Sequence, residues 1–80
     1  MGKLLFCRCG DLIADRNIGW ITGKNEYGVR YTEIRATCVK CEQTFETACW
    51  GELYSLEEAK QTLAGWSAEN NQGLLLSVES

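Results

Sequence analysis

Cys7-Arg8-Cys9-Gly10 and, after a gap of 27 residues, Cys38-Val39-Lys40-Cys41 are the stretches on which the reading of this chain turns. Four thiols fall in two tight pairs, and the residues between them read as a hairpin that brings the pairs together. Two thiolates on each short segment suit a soft, tetrahedral cation held at about 2.3 Å from each sulfur, for which Zn²⁺ is the natural occupant.

Eighty residues make one domain, residues 1–80, near the size at which a hydrophobic core alone gives marginal stability. There is no proline and no histidine, so a metal site here must be built from sulfur or carboxylate. The longest apolar runs, Leu4–Cys7 and Leu74–Leu76, are far short of the ~20 residues that cross a bilayer. No signal peptide is read at the start, and five cysteines without one favour metal ligation in a reducing, cytoplasmic setting over disulfides. Charge is uneven: residues 1–50 hold seven Lys/Arg against six Asp/Glu, while 51–80 hold Lys60 against five glutamates. An acidic second half offers little general attraction to phosphate backbones.

Taken in order, Lys3–Phe6 is a short apolar strand leading to the first cysteine pair, where Gly10 tolerates the positive φ of a tight knuckle. Asp15–Asn17 reads as a turn and Ile18–Thr22 as a strand. Gly23–Gly28 is the clearest loop, and Val29–Thr37 a long half-exposed strand that delivers the chain to Cys38. Glu42–Trp50 gives a further strand with two mixed faces, Gln43/Phe45/Thr47/Cys49 and Thr44/Glu46/Ala48/Trp50, and the inward one stays open. Ser55-Leu56-Glu57-Glu58 is a capping box, followed by Leu56, Ala59, Leu63 and Trp66 on one helical stripe. A helix is expected across 55–70, from Leu56 to about Glu69. Residues 74–80 form either a last edge strand or a docking tail. The fold class is therefore α+β: a sheet of about three strands within 3–50, one C-terminal helix and a short apolar tail. Trp20, Trp50 and Trp66 are expected in the core between sheet and helix, unless one of them is an exposed interface anchor.

The paired cysteines at the end of an antiparallel hairpin resemble a zinc ribbon, in which two knuckles clamp one ion. The resemblance covers roughly residues 3–50 and rests on Cys7, Cys9 with Gly10, Cys38, Cys41, and Phe45 four places after the last ligand. Cys-x-Cys replaces the usual Cys-x-x-Cys in the first knuckle, and no glycine follows Cys41. The resemblance implies a structural Zn²⁺ on Cys7, Cys9, Cys38 and Cys41 but no single function, since ribbons serve many roles. Competing readings are ordinary buried thiols, an iron centre on the same sulfurs, and a dithiol at Cys38/Cys41. Cys49 is either a small buried side chain or a substitute ligand.

Four sulfur ligands leave no open position for water, and neither histidine nor paired carboxylates stand ready as a base, so an enzyme is not expected. Two binding roles are. One is a small adaptor or regulator, of the kind phages use against a host factor, contacting a protein through Trp66, Leu74, Leu75 and Leu76. The other is a nucleic-acid-binding ribbon of transcription or translation, using Arg8, Arg16, Lys24, Arg30, Arg35 and Lys40 with Trp20, Tyr27 and Tyr31.

Overall fold

The computed structural model describes residues 2–79, so Met1 of the expected 1–80 domain and Ser80 of the expected tail lie outside the described residues. The elements run β1 (Gly2–Phe6), a 3₁₀ turn (Asp15–Asn17), β2 (Ile18–Lys24), β3 (Arg30–Cys38), β4 (Gln43–Trp50), α1 (Leu56–Asn70) and β5 (Leu75–Glu79). The class is α+β as expected, but the strands form two sheets. An antiparallel sheet β2-β3-β4 carries the long hairpins, and β1 pairs antiparallel with β5 in a separate two-stranded sheet. The segment after residue 73 is thus a strand, and its partner is the first strand of the chain. Register sets Leu5 opposite Leu76 and Phe6 opposite Leu75, so apolar residues from both ends of the chain cover one another.

In the three-stranded sheet the period-2 alternation divides the faces cleanly. β3 buries Thr32, Ile34, Ala36 and Cys38, exposes Glu33 and Arg35 between them and leaves Thr37 half-buried. β4 turns Phe45 into the core with Thr47 and Cys49 half-buried, which decides the face that its sequence left open. Trp50 consequently points outward and is 74% exposed, whereas Trp20 and Trp66 pack against the core. The expectation of three core tryptophans fails at Trp50, because an even position on β4 belongs to the outer face. The β2–β3 turn is narrower than the loop read from its glycines. Asn25 Oδ1 accepts from the N–H groups of Tyr27 (2.9 Å) and Val29 (3.0 Å), so Gly23 and Lys24 stay in the ladder.

Helix α1 lies across the inner face. Ser55 Oγ accepts from the Glu58 N–H at 3.3 Å, while the Glu58 carboxylate takes the N–H of Tyr54 at 3.0 Å, one residue earlier than the usual box. Asn71 closes the other end in the left-handed region at φ 54°, and its N–H donates to the Ser67 carbonyl. Ser67 is buried, and its Oγ accepts from the Leu74 N–H at 2.7 Å, which aims the chain into β5.

Lys60 sits on the buried face of α1 and is 3% exposed. Its Nζ donates to the Lys3 carbonyl at 2.6 Å and pairs with Asp15 Oδ1 at 2.8 Å. One ammonium thus ties β1, the 3₁₀ turn and α1 together, while the Glu57 carboxylate accepts from the Lys3 N–H at 2.8 Å. Lys60→Met keeps much of the packing volume but strands the Lys3 carbonyl. It is expected to cost about 1–3 kcal/mol, read as a lower urea midpoint at unchanged slope.

Candidate metal centre

Two tight backbone turns present the four sulfurs. β1 delivers Cys7, whose N–H donates to the Asp11 carbonyl at 2.8 Å while the Gly10 N–H donates to the Cys7 carbonyl at 2.8 Å. Gly10 has φ +93°, the conformation the sequence assigned to it. The chain then doubles back: the Ile13 N–H donates to the Leu5 carbonyl at 2.9 Å, and Leu12 bridges Phe6. The second turn is the β3–β4 connection, with Cys38 ending β3 opposite Gln43. Glu42 takes φ +60° there, filling with a side-chain-bearing residue the left-handed position that the missing glycine would have occupied. Arg8 braces the two turns through an Nη2 hydrogen bond to Gln43 Oε1 at 2.6 Å.

The sulfurs of Cys7, Cys9, Cys38 and Cys41 all lie within 4.8 Å of one another. Two pairs run between the turns, Cys7 to Cys41 at 3.5 Å and Cys9 to Cys38 at 3.6 Å. A tetrahedron with ligands about 2.3 Å from its centre has edges of about 3.8 Å, so these separations match metal ligation and are far too long for S–S bonds. Each turn contributes one buried sulfur, Cys7 or Cys38, and one exposed sulfur, Cys9 or Cys41. The cage is therefore anchored in the core on one side and open to water on the other. Cys49 takes no part: it faces Thr32 six positions along β4 from Gln43, half-buried against the core.

The two buried thiols are electrostatically unlike. Burial pushes the Cys7 thiol up to about 12, against the pull of the Cys9 backbone N–H. Backbone N–H groups of Cys41 and Lys40 favour the Cys38 thiolate and bring it down to about 7, against the effect of burial. Donated amides of this kind are what a knuckle supplies to a metal-bound thiolate.

The other residues singled out in the sequence are dispersed. Leu74 is buried, and Leu76 and Trp66 pack on the core, leaving Leu75 as the exposed member of the expected contact set. Among the basic residues, Arg30 is paired with Glu52, and Arg35 with Glu46 at 3.1 Å. Arg35 stands on the outer face of the sheet, whereas Arg30 and Lys24 belong to the opposite set of the alternation. The sequence reading missed Ile21, on the outer face and 74% exposed; its place in β2, one residue from Trp20, was the available signal. Comparison with protein-family models, with curated proteins and with solved structures yields no match.

Cys38→Ser and Cys41→Ser are expected to lose the visible absorption of a Co²⁺ probe, whereas Cys49→Ser keeps it. Ligation also displaces the Cys7 proton on both sides of neutrality, and the Cys38 proton only below about pH 7. Metal affinity should therefore fall as pH is lowered. The fall should be steeper, by up to about tenfold per pH unit, below pH 7 than above it, as measured by competition with a chromophoric chelator.

Proposed function

We propose that this chain is a small zinc-binding module of the ribbon type that works as an adaptor or regulator by contacting another protein. Four thiolates and no histidine suit Zn²⁺, and a closed sulfur shell suits a structural ion better than a catalytic one. Loading the cage would supply folding free energy on the order of 10 kcal/mol, which a core of this size needs.

The observation that carries the binding role is the bare outer face of the three-stranded sheet. Ile21 and Trp50 are each 74% exposed there, with Tyr31 between their strands and opposite Trp50. Gly19 and Ala48 share that face and add little bulk to it, and a trough of about 850 Å³ opens along Gly19, Ile21, Glu33, Arg35, Glu46 and Ala48. Leaving a tryptophan in water forfeits the burial that such a side chain ordinarily gains, and aromatic anchors of this kind dominate protein contacts. Leu75 and Val78 add exposed apolar surface on β5. Pairing of Arg30 and Arg35 with carboxylates leaves less free positive charge for a phosphate backbone, which favours a protein over a nucleic acid.

The test is affinity capture with the zinc-loaded chain and its Ile21→Asp variant, compared at equal metal content. A protein retained by the natural chain and reduced at least tenfold by the variant is the expected result. Equal capture by both, or salt-sensitive retention of RNA in its place, overturns the reading.

A further inference from the structure

The three-stranded sheet has a second feature, separate from its outer face: the free edge of β4. The Gly51 N–H donates to the Arg30 carbonyl at 2.9 Å, which fixes the phase of the β3–β4 ladder. Residues 43, 45, 47 and 49 then exchange hydrogen bonds with β3. The N–H and C=O groups of Thr44, Glu46, Ala48 and Trp50 point away from the sheet, and all four residues are exposed. Four consecutive donor–acceptor sets on one straight strand form a template for another strand.

Edges of this length ordinarily carry a device that repels pairing. β4 has neither proline nor lysine, and its register with β3 runs unbroken from Gln43 to Trp50 without a bulge. Its one charge, Glu46, is held by Arg35 across the ladder at 3.1 Å and is not left free to repel a neighbour. The other edges differ. β2 has Lys24 at its end and two glycines within it, the second side of β1 is taken up by Leu12 and Ile13, and β5 is a strand of only five residues.

We propose that β4 pairs antiparallel with β4 of a second copy of this chain, around a twofold axis through Thr47, to make a continuous six-stranded sheet. This register sets Thr44 opposite Trp50′ and Glu46 opposite Ala48′, where the prime marks the second copy. Every free donor and acceptor of the edge then finds a partner. It also sets the two Glu46 carboxylates on a diagonal, where a register centred on Glu46 would put them directly opposite. Thr47 meets Thr47′ at a non-hydrogen-bonded position, where cross-strand threonines pair well. Trp50 lies over Thr44′ and loses part of its exposure. The occupant of the edge is thus a strand of identical sequence whose free N–H and C=O groups recur at the same spacing as its own. The pairing uses the backbone edge of β4 and leaves Ile21, on β2, uncovered.

Sedimentation equilibrium of the zinc-loaded chain, from micromolar to millimolar concentration, is expected to show the mass rising from one chain to two. Ala48→Pro removes an N–H that faces the free edge and leaves the β3 ladder intact, so it should stay at the mass of one chain with full metal content. Thr47→Cys in a Cys49→Ser background should form a dimer on non-reducing gels under mild oxidation, because the two sulfurs face each other across the axis; this readout stands even if the proline variant fails to fold. A chain that stays single throughout, or a dimer that persists in folded Ala48→Pro without the Thr47→Cys cross-link, overturns the proposal. Loss of capture by Ile21→Asp with the dimer intact would separate the two surfaces.

Discussion

The convergence of four sulfurs from two distant turns is the constraint on which the architecture depends. Each turn is locally well formed, the first by the Gly10 and Cys7 backbone bonds and the second by the β3–β4 connection. The sulfurs and the Arg8–Gln43 brace link the two turns directly. Cys7 and Cys38 belong to the same buried cluster as Leu5, Ile13 and Phe45, so the cage extends the core. Drawing the turns together fixes where the β1-β5 sheet stands against β2-β3-β4. Metal-free, the same four thiols would meet only through weak S–H contacts, with Cys7 protonated and buried.

The second constraint lies at the other end of β1. Its start is held to α1 by the Lys3 backbone, whose N–H donates to Glu57 and whose carbonyl accepts from Lys60. Its end runs into Cys7. A five-residue strand is therefore anchored at both ends, by an ammonium and by the sulfur cage, and β5 adds against it in register. Burying Lys60 carries a desolvation cost that its hydrogen bond to a backbone carbonyl and its partner Asp15 offset. An apolar residue there would leave the Lys3 carbonyl without a donor, which accounts for a lysine at 3% exposure beside Ala59, Leu63 and Ser67 on the buried side of the helix.

Local signals in the sequence carried the elements and the cage. Cysteine spacing, the capping box at Ser55 and the β-branched content of β2 and β3 each act over a few residues, so they were legible. What was not legible depends on long-range pairing. Leu74–Leu76 reads equally well as a tail or a strand, because β1, its partner, is some seventy residues away and equally short. Trp50 reads as core by composition and is placed outside by the phase of β4, which is set where Cys38 meets Gln43. Lys60 gives no sign of burial, since its acceptor is a backbone carbonyl and backbone groups have no sequence signature.

These constraints all act on one side of the three-stranded sheet. α1 and the β1-β5 pair cover the face that carries Ile34, Ala36 and Phe45, and the cage closes the end of that same layer. The opposite face has no covering element among the described residues, and folding places no demand on its composition. An unconstrained solvent face of an antiparallel sheet reads as charges and threonines. Here Glu33, Arg35, Thr37, Thr44 and Glu46 meet that expectation, while Ile21, opposite Glu33, and Trp50, opposite Tyr31, depart from it. Large apolar side chains left on a face that contributes nothing to the core point to a contact made after folding. The sulfur cage bears on that contact only indirectly, by freeing the outer face from any part in holding the chain together.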